Sequence, residues 1–315
     1  MKKSYVFIVC ACVFGFNCMA RADENSGLAV AIQNAKSACI GISGRMSNMK
    51  TMAGINTAVT GVGTVTGAVA LGSGIAKAGV DKEKHELEEK VKRLINEKSN
   101  VPIENIEIDN LAEFERQLSS VVNTEMSDDA KKIAELEQKS KTLGNVRTGT
   151  MAASTVADTA GTLIALNNKV DDDLQFTIDN CIKSINALET EHMRARVQNA
   201  VTEADLTYAD KIINACSGWR DVDLSSIDKR ATAAAISGGV GAALGFAGTI
   251  TSASANSDSV RNGDADKEKS LNTASNVLAG GTTVASGVAT VFNATQISAI
   301  KKAVATADKC EEALR

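Results

Sequence analysis

Two glycine-rich stretches raise the first question of chemistry, because loops of this composition hold phosphates in many nucleotide-binding proteins. Residues 61–67 read GVGTVTG and residues 239–245 read GVGAALG. A dinucleotide-binding loop needs a strand before its glycines and a helix that begins at them. Here the apolar spacing from Met52 to Val62 is already that of a helix when the glycines arrive. The sequence therefore predicts no nucleotide site.

Other residues that could do chemistry are few and widely spaced. His85 and His192 lie far apart and lack the HExxH spacing of a zinc site, and their charged neighbours predict two solvated helix faces. The three aspartates at 171–173 are typical of the first turn of a helix. No arrangement supplies a nucleophile with its base. We predict no catalytic, metal-binding or cofactor-binding residue, no small-molecule ligand, and a protein that is not an enzyme.

The N-terminus has the pattern of a secretory signal peptide. Lys2 and Lys3 precede an apolar stretch at residues 5–16, and Ala20-Arg21-Ala22 forms an A-x-A cleavage site. Cleavage after Ala22 leaves 293 of the 315 residues and removes three positive charges, so the formal net charge goes from −4 to −7. The sequence therefore predicts an exported protein, periplasmic or extracellular, and its acidic charge gives no reason to expect nucleic acid as a partner.

Removal of the signal peptide changes the cysteine count. Seven cysteines become four, namely Cys39, Cys181, Cys216 and Cys310. An even number in an exported chain indicates two disulfide bonds, for which three connectivities exist.

Composition and spacing both predict an all-α protein. The chain has one proline and 3% aromatic residues, and the scarcity of proline favours long uninterrupted helices. Apolar residues recur at alternating steps of three and four, the spacing of a buried helix seam. The clearest series is Leu28, Ile32, Ala35, Cys39, Ile42, Met46 and Met49. Met52, Ile55, Val59 and Val62 continue the same spacing, and each of the four mature cysteines falls on such a seam.

Four landmarks indicate an internal duplication. Val62 aligns with Val240 between the glycine-rich stretches, and Val156 aligns with Val284 between STVADTAGTLI and TTVASGVATVF. A cysteine lies 23 to 26 residues from each of these valines. We therefore predict two tandem antiparallel helical hairpins in an elongated bundle, one at residues 23–190 and the other at residues 191–315, after a signal peptide at residues 1–22.

The hairpins predict both the disulfide pairing and the role of the glycines. When the small-residue stretches face each other in an antiparallel hairpin, Cys39 comes level with Cys181, and Cys216 with Cys310. Each bond closes a long loop and should stabilise the fold by roughly 4–5 kcal/mol. Glycine inside a helix is unfavourable unless two backbones approach closely. We assign this close packing to six glycines, Gly61, Gly63, Gly67, Gly239, Gly241 and Gly245.

The first hairpin carries a charged insert at its tip, at about residues 81–141. Its flanking segments are predicted to extend the hairpin as a coiled coil, and Pro102 breaks the helix between them. This charged tip is the largest departure from the repeat, so we predict it as the region that binds a partner protein.

Two functions fit these observations. The favoured one is a non-enzymatic structural or interaction protein of the cell envelope or exterior, with a protein partner or self-association. The alternative is a membrane-inserting or pore-forming helical protein, because residues 51–76, 231–256 and 271–300 carry no charge. Two observations oppose the alternative. These segments are rich in threonine and serine, and the remaining arm of the two hairpins, at about residues 142–168, carries Arg147 and Asp158.

Peptide mapping under non-reducing conditions tests the hairpin model. We expect two linked peptide pairs, Cys39 with Cys181 and Cys216 with Cys310, because the antiparallel register brings these residues level. A peptide in which Cys216 is linked to Cys39 or to Cys181 would contradict the model.

Overall fold

The computed structural model of the chain describes residues 26–98, 127–199, 201–261 and 265–315. Within these ranges the regular elements are helices, as the all-α prediction states. The predicted signal peptide and the predicted break at Pro102 lie outside the described residues. The helices are α1 (Ser26–Cys39), α2 (Ile42–Lys98), α3 (Ser127–Asn167), α4 (Asp172–Gln198), α5 (Glu203–Cys216), α6 (Leu224–Ala255), α7 (Asp258–Arg261) and α8 (Ala265–Leu314), with a short 3-10 helix at Ser217–Asp221.

Local sequence signals determine where several helices begin. Asp171 is the N-cap of α4 and accepts a hydrogen bond from the Leu174 backbone N–H at 2.6 Å, so the aspartates at 171–173 occupy a helix start as predicted. Thr202 caps α5 in the same way. Gly41 has a φ of 93° between α1 and α2, a conformation that glycine adopts without strain.

The chain divides into two compact units. We call the first the disulfide unit; its described part comprises residues 26–54, Asn168–Ala231 and Thr295–Arg315. The second, which we call the inverted bundle, comprises the described residues of Ile55–Asn167 together with Thr232–Ala294. Each unit therefore takes segments from both predicted hairpins.

The disulfide unit has an ordinary apolar core. Leucine, isoleucine and methionine side chains from its helices are buried together, and Trp219 is 2% exposed among them. Burial of the predicted seam from Leu28 to Met49 is confirmed, with Ile32 partly buried.

Both cysteine pairs lie at disulfide distance in this core. The sulfur atoms are 1.99 Å apart in Cys39–Cys181 and 2.02 Å apart in Cys216–Cys310. All four cysteines are 1% exposed or less, as the seam predicts. The sulfurs of Cys39, Cys181 and Cys310 lie within 4.8 Å of one another, so the two bonds are neighbours.

One histidine does not lie where the sequence predicted. His192 is 5% exposed rather than solvated, and its Nε2 lies 3.4 Å from Asp210 Oδ1. The reason is its position seven residues after Ile185, which continues the buried seam of α4.

Truncation of Ile185 to alanine should destabilise the disulfide unit. Ile185 is 2% exposed, so Ile185→Ala leaves a cavity and should lower the free energy of unfolding by about 2–5 kcal/mol. Denaturant titration followed by the fluorescence of Trp219 measures this change. The matched control is Val197→Ala on the same helix, where the side chain is 84% exposed and the change should stay within about 0.5 kcal/mol. Equal effects of the two substitutions would contradict the assigned core.

Candidate functional site

The inverted bundle contains α3, α7 and parts of α2, α6 and α8, and each of its four long helices runs antiparallel to its neighbours. Along α2 and α3, Thr60 lies against Gly161, Gly63 against Asp158, and Gly74 against Arg147. Residue numbers rise on one helix as they fall on the other. The same relation holds between α3 and α6, and between α2 and α8, where Asn56 donates to Asn293 at 2.9 Å.

Small and polar residues occupy the interior of this bundle, in the alternating steps of a heptad seam. Buried residues on α2 include Asn56, Thr60, Gly63 and Gly67, and those on α3 include Ser154 and Asp158. The remaining helices show the same pattern. On α6 the buried residues are Ala234, Ala235, Gly238, Gly241, Gly245, Gly248, Ser252 and Ala255, and on α8 they are Asn272, Ser275, Ala279, Thr282, Ser286, Ala289 and Asn293.

A network of charged and polar groups fills one end of the interior. Lys77 is fully buried and donates to Asp81 and to Glu268, both at 2.7 Å. Arg147 is also fully buried, and its guanidinium donates to Ser252 at 2.9 Å and to two asparagines of α8. The two buried basic groups are thus satisfied by hydrogen bonds inside the bundle.

In the part of the bundle that the structure describes, one carboxylate lies near the middle of the interior. Asp158 is 0% exposed, and its Oδ2 accepts a hydrogen bond from Ser286 at 2.7 Å. Glycines face it from two other helices: a Cβ added to Gly63 would lie 2.5 Å from Oδ1, and one added to Gly241 would lie 2.8 Å from Oδ2. The carboxylate therefore occupies the space that these glycines leave.

The outward face of the bundle is apolar. Seventeen large hydrophobic side chains, which we call the apolar belt, are between 41% and 70% exposed. They are Ile55, Val62, Val65, Val69 and Ile75 on α2, Val146, Val156, Leu163 and Leu166 on α3, Ile236, Val240, Phe246 and Ile250 on α6, and Val277, Val284, Val288 and Val291 on α8. The usual arrangement of a water-soluble helix, apolar inside and polar outside, is reversed.

The apolar belt is longest on α2 and α3, whereas on α6 and α8 it extends over fourteen residues, from Ile236 to Ile250 and from Val277 to Val291, or about 21 Å. At one end Ile75, Val146 and Val277 each adjoin a member of a contacting group formed by Gly74, Arg147 and Asn276. On α2 and on α3 the belt extends over twenty residues, from Ile55 to Ile75 and from Val146 to Leu166. At 1.5 Å per residue this is about 30 Å, the thickness of the hydrocarbon core of a bilayer.

Threonines on the same segments donate to their own helix. Thr66 donates to the Val62 carbonyl at 2.8 Å, and Thr159 donates to the Thr155 carbonyl at 2.8 Å. Thr150, Thr249 and Thr251 make the same bond to the residue four positions earlier. These hydroxyls need no water, so the outward surface is less polar than its composition suggests.

The predicted seam of α2 is wrong beyond Met49. Met52, Ile55 and Val62 are 40%, 47% and 54% exposed, whereas Asn56 and Thr60 are buried. The two sets have the same spacing and differ by one residue, which turns the helix by about 100°. The prediction took the more apolar set as the buried one, but the interior of this bundle is lined by small and polar residues.

Four of the six glycines assigned to close packing lie at helix contacts. Besides Gly63 and Gly241, a Cβ on Gly67 would lie 2.9 Å from Thr283 Oγ1, and one on Gly245 would lie 2.5 Å from Thr155 Oγ1. Gly61 and Gly239 do not lie at such a contact. Gly61 has nothing within 4 Å of an added Cβ, and Gly239 has one methyl at 4.0 Å, because each stands two residues before the glycine that faces the interior.

Three helical stretches of the described chain are long and apolar enough to cross a membrane by length and composition. They are Gly27–Leu94, Glu203–Ala255 and Asp266–Leu314. No more than 33% of the most apolar part of each is buried within the protein, so most of this apolar surface is left uncovered.

The described part of the charged tip is a pair of helical segments linked by ion pairs. Lys90 lies 2.7 Å from Asp129, and Lys132 lies 2.8 Å from Glu83. The hydrogen bond from Lys132 lowers the pKa of Glu83 below its usual value. Residues 99–126 of the predicted insert lie outside the described residues.

No protein-family model, no curated protein and no solved structure matches this chain.

Two alanine substitutions test the contact between α2 and α8. Gly67→Ala places a methyl 3.3 Å from the Thr283 Cα, which cannot rotate away, whereas Gly61→Ala adds a methyl to open space. Both substitutions raise the helix propensity equally, so that effect cancels between them. We expect Gly67→Ala to be less stable than Gly61→Ala by about 1–3 kcal/mol in thermal or denaturant unfolding. Equal stabilities would contradict this contact.

Proposed function

We propose that the chain is an exported, non-enzymatic envelope protein whose inverted bundle lies in a lipid bilayer. This is the alternative in the sequence analysis, and we now favour it over a soluble bundle. The apolar belt is the observation that carries the proposal, because its height of about 30 Å on α2 and α3 equals the thickness of the bilayer hydrocarbon.

In water the arrangement would be unfavourable. Seventeen large apolar side chains are exposed on one continuous band of helix, while asparagine, serine and threonine fill the interior. Soluble monomers rarely expose apolar patches of more than a few hundred Å², and larger ones mark contacts with protein or membrane. In lipid the exposed side chains meet hydrocarbon, and small interior residues let the helices pack closely.

The two charges in the arm at about residues 142–168 support insertion rather than oppose it. Arg147 and Asp158 are the charged residues between positions 142 and 168, and both are 0% exposed. Ionisable groups inside membranes are expected to face the interior of a helix bundle in this way. Residues 51–76, 231–256 and 271–300 contain none.

Lipid fits this belt better than a second copy of the chain does. The belt includes outward side chains from all four helices, so it surrounds the bundle instead of forming a patch on one side. A partner that contacts one side would leave the others in water, whereas lipid covers all of them.

The charged tip keeps its earlier interpretation as a prediction. Its described residues make ion pairs with each other, which is compatible with a solvated extension of α2 and α3. Binding of a partner by this tip remains a proposal that rests on the sequence.

A lysine in the middle of the apolar belt should prevent stable insertion. Val65 and Val156 are 64% and 70% exposed and lie midway along the belt. A lysine at the centre of a membrane helix costs about 2.5–3.5 kcal/mol, so Val65→Lys or Val156→Lys should lower the vesicle-bound fraction roughly a hundredfold in equilibrium terms. After removal of detergent, flotation with vesicles of phosphatidylcholine and phosphatidylglycerol measures that fraction.

The control separates lipid from water. Val197→Lys replaces a valine that is 84% exposed in the disulfide unit, and it should float like the wild type. If the belt lies in water, all three lysines replace exposed residues and should change stability by less than about 0.5 kcal/mol. A different outcome would show that a second copy of the chain, and not lipid, covers the belt. In that case the wild type stays soluble without detergent, and Val65→Lys or Val156→Lys only dissociates an oligomer.

A further inference from the structure

Asp158 occupies the middle layer of the inverted bundle with one oxygen unsatisfied. Ser286 donates to Oδ2 at 2.7 Å, and Oδ1 has no hydrogen-bond partner although it is buried. The Ser154 hydroxyl also lies beside the carboxylate and donates to the Gly63 carbonyl at 2.8 Å, and the Ser286 hydroxyl has a second acceptor in the Thr282 carbonyl at 2.8 Å. An unpartnered carboxylate oxygen in a buried position is costly and calls for a positive group.

The described part of the bundle offers no counter-charge next to this carboxylate. Glycines of α2 and α6 and a serine of α8 face it. Among the bundle residues whose burial the structure describes, the buried basic side chains are Lys77 and Arg147. Lys77 is held by two carboxylates, and Arg147 is eleven residues away on the same helix, about 16 Å along its axis.

A second unsatisfied acceptor lies on the same side of the interior. Asn56 donates through Nδ2 to Asn293 at 2.9 Å, and Asn293 donates to Thr60 at 3.3 Å, while Asn56 Oδ1 has no partner. Gly161, one turn from Asp158, packs against both Thr60 and Asn56. Polar side chains thus continue from Asp158 toward the end of the bundle where Asn56 and Asn293 lie. In the opposite direction Met151 packs with Ala70 and Ala279 and closes the interior with apolar groups.

We infer that Asp158 is the binding site of a small monovalent cation, either a proton or Na⁺. The oxygen atoms at this site belong to the Asp158 carboxylate, to the Ser154 and Ser286 hydroxyls, and to the Gly63 carbonyl next to Ser154. Oxygen ligands of this kind suit hard cations. Either cation would neutralise the carboxylate and satisfy Oδ1. The site does not require a bilayer, because the burial of Asp158 is produced by the four helices themselves.

The test uses the full chain in detergent micelles and measures its melting temperature. One series replaces choline chloride by NaCl at constant ionic strength and pH, and a second lowers the pH from 8 to 5 in choline chloride. A sodium site raises the melting temperature in the first series. A proton site raises it in the second series and leaves the first flat, because the bound proton stabilises the folded state as the pH falls.

Two variants assign the effect to this residue. Asp158→Asn has nearly the same shape without the charge, so it should abolish the dependence found in the wild type and keep the helical content. Asp179→Asn removes an exposed carboxylate of α4 and should keep the dependence. If Asp158→Asn responds to both cations as the wild type does, the inference is wrong.

If Asp158→Asn does not fold, a second variant, Ser286→Ala, tests the same site. Ser286→Ala keeps the carboxylate and removes its hydrogen-bond donor, so it should shift the cation concentration at half effect by about tenfold; no shift would contradict the site. Flotation with vesicles is read separately. Loss of flotation in the wild type with cation dependence retained would refute the bilayer and leave the site standing. The opposite result would refute the site alone.

Discussion

The close approach of four helix backbones constrains everything else in the inverted bundle. Where Gly67 meets Thr283, and where Gly63 and Gly241 meet Asp158, a single added methyl group would collide with its neighbour. Positions this close admit only glycine, alanine, serine and similar small residues. Most large apolar side chains on these segments therefore point outward and form the apolar belt, and Met151 is an exception that is buried between Ala70 and Ala279.

The two units of the chain solve the burial problem in different ways. In the disulfide unit leucine and isoleucine fill the core, and the neighbouring disulfides lie among them. In the inverted bundle the interior is held by hydrogen bonds, such as those of Arg147 to Ser252 and of Asn56 to Asn293, together with backbone packing. A core of this second kind gains little from the exclusion of water. Its stability is better explained in a solvent that offers no competing hydrogen bonds, which is the environment that we propose for it.

The sequence predicts much of the fold and less of the candidate site. The absence of proline from most of the chain and the heptad spacing predict long helices, and the seam from Leu28 to Met49 is buried as expected. The phase of α2 could not be chosen from spacing, because Met52–Ile55–Val62 and Ala53–Asn56–Gly63 recur at equal steps. The usual rule that apolar residues face inward selected the wrong set. Arg147 and Asp158 lie on α3, and the same rule gives no reason to expect these charged side chains in the interior, although both are 0% exposed. The internal duplication stays a prediction, because contacts between helices show how the chain packs and do not show whether its two halves share a common ancestor.

The reversed placement of side chains also changes which substitutions the bundle should tolerate over time. In most globular proteins the surface varies and the interior is restricted. Here the outward positions, such as Val156 and Val284, should accept exchange among valine, isoleucine, leucine and phenylalanine but reject charge. The inward positions should accept exchange among glycine, alanine and serine but reject size. A search for distant relatives should therefore give most weight to small residues at the interior positions of α2, α3, α6 and α8. It should treat the large apolar residues of the outward positions as interchangeable.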